Sequence, residues 1–341
     1  MKACCTIVNP SPCVVSPSES LSLAREIAAQ AQIPLAELEE RPFEGGEFKL
    51  RPIECLRERS AFVVQSLIGS EDVPVGTRLL RLLFLLLGLR DVGCARRIAV
   101  LPYMAFARKD RRTQLHDPVT SRYVAELLEA AGVDRVVALD VHNPAALDNA
   151  FRVPVDHLSA TPLLVDHFAR RLGGAPSCVV SPDIGGIKRA QRFRELLGAR
   201  LGRPVELAFV EKRRAQGVVY SGQLAGHVEG MQVIVLDDLC ATGGTLVRAA
   251  DACMSAGAGA VHVAFTHAPL VDGLVALLGA DSTAEVVLTD SAASAALAHA
   301  AANAPRMQVL PIAPLLGQAL RRIVLGQALD PLFTDWPVKG V

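Results

Sequence analysis

The chain has 341 residues, 51% of them hydrophobic and 4% aromatic, which is length enough for two domains and an aliphatic composition suited to buried parallel sheets covered by helices. Its 35 basic and 35 acidic residues cancel, so no global field draws it to nucleic acid or a membrane, and any anion site must be local. The eight cysteines form no CxxC pair and no His/Cys set with zinc spacing, which reads as free thiols in a reducing cytoplasm.

The N-terminal MKACCTIVNP lacks the long apolar core of a signal peptide and reads as a first strand. Short apolar runs then alternate with helical patterns. The expected strands are 61–65, 97–101, 135–139, 178–180, 205–210, 232–236, 259–265 and 285–288. Helices are expected at SLSLAREIAAQAQ, TSRYVAELLEAAG, TPLLVDHFARRLG and GIKRAQRFRELLG, in a βαβ alternation that predicts parallel sheets. The longest apolar stretch, LLRLLFLLLGL at 79–89, is interrupted by Arg81 and too short to span a bilayer, so a buried helix is expected there. Thr120 or Ser121 can cap the third helical segment and Gly132 can end it. A turn-rich stretch at 154–162 suggests a boundary, giving domains at 1–155 and 156–320 and a loosely held tail at 321–341.

Four strands end in polar or acidic clusters: LDVH at 139–142, SPD at 181–183, LDD at 236–238 and LTD at 288–290. Ligands of open α/β sheets gather at such carboxyl ends. The run VIVLDDLCATGGT at 233–245 is the most specific. Its glycines let backbone N–H groups approach phosphate oxygens, Thr242 and Thr245 add donors, and the following helix start supplies positive potential. Asp237 and Asp238 can accept from ribose hydroxyls or hold Mg²⁺. Upstream, LPYMAFARKDRR at 101–112 gathers Arg108, Lys109, Arg111 and Arg112, with Arg96 or Arg97 as a fifth cation, into a local anion trap. EKRR at 211–214 sits at the root of AQGVVYSGQLAGHVEG, which reads as a long flexible loop able to close over a diphosphoryl group. An ordinary solvated basic loop has the same composition. His142 at a strand end can bind a metal directly or through water. Asp183 precedes a Gly-Gly turn and a helix with Lys188 and Arg189, where a carboxylate can hold Mg²⁺ and the turn can approach a phosphate. Phe43, beside Glu44, Gly45, Gly46 and Glu47, can stack on a base.

Taken in order from about Phe43 to about Leu332, these segments resemble the ribose-phosphate diphosphokinase (phosphoribosyl diphosphate, PRPP, synthetase) family, of which the chain looks like a divergent member. FEGGE resembles FxDGE, PYMAFARKDRR resembles PYxxYARQDR, ALDVH resembles the strand ending in a metal-associated His, VSPDIGGIKRA resembles VSPDxGGxxRA, EKRR resembles DKRR, and LDDLCATGGT resembles DDMxDTGGT. Three positions depart from the pattern: Gly45 and Ala241 each replace an Asp, and Lys109 replaces a Gln. Ala241 also occurs in the DDLLATGGT loop of adenine phosphoribosyltransferases. The resemblance implies two phosphoribosyltransferase-like α/β domains, each a parallel-sheet core flanked by helices. It implies transfer of the diphosphoryl group of ATP to O1 of ribose 5-phosphate with Mg²⁺, in a dimer-based homo-oligomer extending to a hexamer. In that frame Phe43, Gly45, Gly46, Glu47, Arg108 and Lys109 take the nucleotide. Asp237, Asp238, Ala241, Thr242, Gly243, Gly244 and Thr245 take ribose 5-phosphate, His142 and Asp183 position the metal, and Lys212 and Arg214 stabilise the transferring group. A PRPP-consuming phosphoribosyltransferase shares the TGGT loop, and a catalytically silent regulatory homologue shares most motifs. The ordered RKDRR and KRR clusters favour the synthetase.

Overall fold

The structure is a computed structural model that describes residues 11–70, 72–211, 214–215, 218–219 and 223–334. The chain forms two units, one running to Leu158 and including Ala313–Ala328, the other comprising Ser159–Ile312 and the residues from Leu329. The expected division at 155/156 falls inside a strand of the first unit, and the segment after 312 returns to that unit instead of completing the second.

The first unit contains β1 (Cys13–Val15), α1 (Leu21–Ala31), β2 (Leu38–Pro42), β3 (Phe48–Pro52), β4 (Ser60–Val64), α2 (Val75–Asp91), β5 (Arg96–Leu101), α3 (Thr120–Ala130), β6 (Arg135–Leu139), α4 (Pro144–Ala150) and β7 (Val155–Leu158). Five of these strands pair in parallel in the order β1-β4-β5-β6-β7. The central runs AFVV, IAVL and VVAL are apolar because both sheet faces are covered there, whereas the edge strand β7, VDHL, carries Asp156 and His157. On one face Ala61, Val63, Ala99, Leu101, Val136 and Ala138 pack against Leu82, Leu86 and Leu89 of α2 and Val124 and Leu128 of α3. Helix α2 is not buried all round as expected: Leu80 and Phe84 stay 42% and 49% exposed, because the helix lies on the sheet by one stripe. The strands β2 and β3 form a separate antiparallel hairpin. The stretch read as the first strand, MKACCTIVNP, lies outside the described residues.

The second unit contains α5 (Thr161–Leu172), β8 (Ser177–Ser181), α6 (Ile187–Leu201), β9 (Glu206–Glu211), β10 (Arg214–Ala215), β11 (Val218–Val219), β12 (Gln223–Ala225), β13 (Gln232–Leu239), α7 (Gly244–Ser255), β14 (Ala260–His267), α8 (Val271–Gly279), β15 (Glu285–Thr289), α9 (Ala295–Asn303) and β16 (Met307–Leu310). Its seven-stranded sheet runs β12-β9-β8-β13-β14-β15-β16, parallel except for the edge strand β12. Helices α5 and α6 cover one face through Phe168, Phe193 and Leu197, and α7 and α8 cover the other through Leu246, Ala250, Leu274 and Leu277. In the stretch expected to be a flexible loop, residues 216–217 and 220–222 lie outside the described residues, and the rest includes a short ladder, Arg214↔Val219 and Ala215↔Val218, before β12 joins β9. Two helices close the chain. α10 (Ala313–Val324) belongs to the first unit, and α11 (Pro331–Thr334) packs on α5 in the second with Leu332 fully buried. No helix among the described residues is long and apolar enough to cross a membrane.

The order of the second sheet fixes where a ligand belongs. From β8 the chain moves to β9 on one side and returns to β13 on the other. Between β8 and β13 the connections therefore diverge, opening a crevice beyond their carboxyl ends.

Candidate active site

That crevice is lined by the segments after β8 and at the end of β13. Strand β13 carries Asp237 and Asp238 as its sixth and seventh residues, the first partly and the second almost fully buried. Two neighbouring carboxylates in a poorly hydrated place repel one another, and the fold answers with a cation. Arg189 on α6 reaches across, Nη1 lying 2.8 Å from Asp237 Oδ1 and Nη2 3.2 Å from Asp238 Oδ1. Burial pushes the Asp237 carboxyl up to about 7. The hydrogen bond to Asp238 and its charge add to the rise, while Arg189 opposes it. The two carboxyls titrate as a pair. An oxygen-rich, half-neutralised pair of this kind is suited to accept hydrogen bonds from vicinal hydroxyls.

The turn after β13 is held by close backbone contacts. Cys240 N–H donates to His267 O at 2.9 Å, keeping the turn beside β14. Gly243 has φ +73°, and a Cβ there would lie 2.5 Å from Gly273 O. A Cβ on Gly273 would lie 2.6 Å from Ala241 O and 2.8 Å from Cys240 Sγ. The two glycines therefore interlock, Gly243 by conformation as well as space. Thr242 is exposed, Gly244 and Thr245 are partly so, and Gly244 opens the 12-residue helix α7. The N–H groups of its first turn have no partner within the helix and face the turn, an arrangement that binds phosphate.

Beside it, the segment after β8 builds a second cradle. Asp183 Oδ1 accepts from Gly186 N–H at 3.1 Å, and Ser181 Oγ donates to Asp183 O at 2.6 Å. A Cβ on Gly186 would lie 2.6 Å from Ser181 Oγ, so the Gly-Gly turn is compact. It leads directly into α6, placing Arg189 three residues further on. The sequence reading singled out Asp183, Asp237, Asp238 and 241–245, and the structure gathers them around one crevice. It did not assign Arg189 or Gly273. The spacing of SPDIGGIKRA puts Arg189 in the first turn of α6, the one signal that could have found it. Gly273 has no signal beyond a glycine inside an apolar helix.

In the first unit, Phe43, Gly45, Gly46 and Glu47 form the exposed tip of the β2–β3 hairpin, closed by Phe43 N–H donating to Glu47 O at 2.8 Å. Gly45 and Gly46 have φ +75° and +88° with open space around both. The basic loop after β5 differs from the expected cluster in two ways. Arg96 and Arg97 stand at the amino end of β5, the opposite end from the loop. Arg97 is tied there to Asp134, to Gly132 O and to Cys94 O. Lys109 is not a free cation: its ammonium pairs with Asp117 and reaches Thr113 Oγ1 at 3.0 Å. Asp117 also accepts from the N–H groups of Thr113 and Gln114, both at 2.9 Å, so it staples the loop. The ammonium of Lys109, with Thr113, holds its carboxyl well below the usual range. Arg108, Arg111 and Arg112 are exposed. Thr120 and Ser121 do not cap α3. Their hydroxyls donate to Phe106 O and Lys109 O, at 3.2 and 3.3 Å, and so fasten the same loop. His142 is exposed just beyond β6, and the adjoining Asn143 donates to Asp110 Oδ2 at 2.7 Å, linking that strand end to the basic loop. Lys212 lies outside the described residues, and of Arg214 only the backbone, in β10, is described. Among the described residues no three His, Cys, Asp or Glu side chains converge as a metal cage.

Comparison with known proteins agrees with this arrangement. Residues 13–132 match the N-terminal domain of ribose phosphate pyrophosphokinase, and residues 159–286 match the phosphoribosyl transferase domain. The chain is 36% identical over 313 residues to the ribose-phosphate pyrophosphokinase of Caldanaerobacter subterraneus, covering 92% of this chain and 94% of that protein. It is 34% identical over 321 residues to that of Hyphomonas neptunium, covering 94% and 99%. Among solved structures, the phosphoribosylpyrophosphate synthetase of Mycobacterium smegmatis superposes with a TM-score of 0.82 at 29% identity, covering 92% of this chain and 99% of that one. The chain belongs to the ribose-phosphate pyrophosphokinase family, whose reaction joins the diphosphoryl group of ATP to O1 of ribose 5-phosphate.

Proposed function

We propose that this chain carries out that reaction with the ribose 5-phosphate seated in the crevice of the second unit. The Arg189-tethered pair Asp237–Asp238 beside the interlocked turn is the observation that carries the assignment. Asp237 and Asp238 accept from the ribose hydroxyls. The backbone of Ala241, Thr242, Gly243, Gly244 and Thr245, with the two hydroxyls, cradles the 5-phosphate. O1 of the sugar attacks the β-phosphorus of ATP, the bond to the α-phosphate oxygen breaks, and AMP leaves. Little covalent chemistry is asked of side chains, so placement and charge do most of the work.

The nucleotide is assigned to Phe43, Gly45, Gly46, Glu47, Arg108 and Lys109. Phe43 stacks on the base and Arg108 meets the phosphates, while the pairing of Lys109 with Asp117 gives it the further task of shaping the loop. Mg²⁺ fits the donors present: it is usually carried by one or two carboxylates plus substrate phosphates, not by an all-protein cage. His142 and Asp183 are the residues assigned to it, and when bound it neutralises phosphate charge. Lys212 and Arg214 are assigned to the transferring diphosphoryl group. A homo-oligomer built from dimers and extending to a hexamer is the assembly the family resemblance implies, and an exposed apolar Leu80 on α2 is compatible with a surface between copies.

Phosphorus NMR of the purified protein with Mg²⁺, ATP and ribose 5-phosphate tests the reaction: AMP and PRPP must appear together. Release of pyrophosphate from added PRPP and a base, without AMP formation, would instead indicate a phosphoribosyltransferase. Removing one preorganised donor at the transferring group typically costs ~10²–10³ in kcat, so Lys212→Ala should lower kcat by that order and change KM little. Turnover within a few-fold of the unsubstituted enzyme would remove Lys212 from the role.

A further inference from the structure

The β2–β3 hairpin stands apart from the parallel sheet, yet its tip carries the residues assigned above to the nucleotide. Its register pairs Glu40 with Leu50 and Pro42 with Phe48. With side chains alternating along each strand, Leu38, Glu40, Pro42, Phe48 and Leu50 share one face. Leu38 and Leu50 pack on the core of the first unit, so this is the face turned inward. Glu39, Lys49 and Arg51 share the other face and pair among themselves.

A single side chain on α2 meets both strands on the inward face. Arg81 forms an ion pair with Glu40 of β2, and its guanidinium carbon lies 5.5 Å from the centre of the Phe48 ring of β3. Its other arm holds Glu19, ahead of α1, with Nη1–Oε1 at 2.9 Å. Glu40 is gripped from that side too, accepting from Ser18 N–H at 2.5 Å and Ser18 Oγ at 2.9 Å. Phe48 also leans on Phe84, one turn along α2, with ring centres 5.5 Å apart. The side chains of Arg81 and Glu19 are 13% and 5% exposed, so the pair is shielded from competing water and salt. Glu40 lies three residues before Phe43. A tilt of the hairpin base at Glu40 is therefore carried directly to the tip.

We propose that Arg81 is a positioning residue for the diphosphoryl-transfer reaction: by clamping Glu40 and Phe48 it fixes the direction in which the hairpin presents Phe43 and Glu47 to the nucleotide. Arg81 itself touches no substrate. The apolar helix pattern has no need of a cation at this position, and an interior arginine flanked by Leu80 and Leu82 is otherwise a cost of burial. The inference rests on the reading that the hairpin tip takes the nucleotide.

The test is steady-state kinetics with ATP and ribose 5-phosphate varied separately, on Arg81→Met, Arg81→Lys, Glu40→Gln and Phe43→Ala, each checked by circular dichroism. Losing one base–aromatic stack is worth roughly 5- to 150-fold in affinity. Phe43→Ala should raise the KM for ATP within that range. Arg81→Met should raise it by at least about fivefold and leave the KM for ribose 5-phosphate unchanged, with Arg81→Lys intermediate. If Phe43→Ala leaves the ATP KM alone, the nucleotide reading of the tip fails and the inference goes with it. If Phe43→Ala acts and Arg81→Met does not, the tip reading stands and the clamp is overturned. Equal loss for both substrates, or loss of kcat alone, marks Arg81 as merely structural and also overturns it. Should Arg81→Met not fold, Glu40→Gln, which leaves Arg81 paired with Glu19, is read by the same criteria.

Discussion

Asp237 concentrates the conflict between stability and recognition in one residue. Its carboxyl is pushed up to about 7 from 3.8, first by burial and then by Asp238, despite Arg189 at 2.8 Å. A carboxyl whose folded pKa lies above its unfolded value favours folding while protonated. That contribution is complete below the unfolded pKa and is lost as pH rises through the folded one. The ligand-free enzyme should therefore lose stability from this group between pH 3.8 and about 7. Asp237→Asn, neutral throughout, should lack that slope. Calorimetry of both proteins without ligand, from about pH 4 to about pH 8, should show the unsubstituted melting temperature falling relative to the variant across the window. Parallel curves would mean that Arg189 already neutralises the pair in full. Ribose 5-phosphate affinity should fall in the variant, because an amide offers one acceptor where the carboxylate offered two. At this scale the sequence was informative where the residue type is itself unusual: adjacent aspartates, paired glycines, clustered arginines. It was silent on which cation meets which anion. Lys109 reads as a spare positive charge and is in fact held by Asp117, eight residues on, because the loop folds back on itself. Arg189 reads as one of several helix cations and is the one that reaches the site.

The elements were legible wherever burial on both faces writes a continuous apolar run, and this covers β4, β5, β6, β8, β9, β13, β14 and β15 but not the edge strands β1, β7, β12 and β16. They were obscure where the pattern is short or mixed. Of the hairpin strands, LEERP runs three charged residues together and FKLRP alternates charge with apolar side chains, and one face is solvated by Glu39, Lys49 and Arg51, so they resemble a loop. β16, MQVL, is four residues long, too short for a period to show. The proposed caps of α3 failed because Thr120 and Ser121 hydroxyls are drawn to loop carbonyls, a competition open to any Ser or Thr near a turn. The element that matters most for function is the unit of β13, its turn and α7, and its shape depends on α8. A methyl group on Gly273 would lie 2.6 Å from Ala241 O and 3.0 Å from Ala241 C. Overpacking of this kind typically costs about 1–3 kcal/mol, and the strain is relieved by moving whichever side yields. The turn at 240–243 is irregular backbone, whereas α8 is braced by its own helical hydrogen bonds, so the turn should yield. Gly273→Ala is expected to lower stability by about that amount and to raise the KM for ribose 5-phosphate while leaving the KM for ATP near its original value. A stable variant with unchanged ribose 5-phosphate kinetics would show that α8 retreats instead and that the turn is set by β13 and α7 alone.

At the scale of the whole molecule, the chain does not finish where it stops building the second sheet. After β16 it returns, and α10 packs on α1 of the first unit. Its sequence APLLGQALRRIV buries Ala313, Leu315, Leu316, Ala319 and Leu320. α1 answers with Leu23, Ala24, Ile27, Ala28 and Ala31. Small residues on both sides let the backbones approach, and Gly317 sets the closest point: a Cβ there would lie 2.4 Å from Gln30 Cβ and 3.0 Å from Ala31 N. Arg321 Nη1 adds a hydrogen bond to Gln32 Oε1 at 2.5 Å. Amphipathic periodicity can predict such a helix but not which sheet it covers, since its partner lies nearly three hundred residues earlier, and an expected division at 320/321 cuts straight through it. The consequence is that the first unit depends on a helix made after the second sheet, whereas the second can form its sheet before α10 is in place. Gly317→Ala should therefore act on one unit only. Forcing a methyl group into that contact should cost about 1–3 kcal/mol, and local opening should report it where the packing is lost. Hydrogen exchange followed by mass spectrometry should show faster exchange across α1 and β1, with the amides of β8 and β13 unchanged. Equal acceleration in both units would mean that they unfold as one cooperative body and that α10 closes the whole molecule, not its first half.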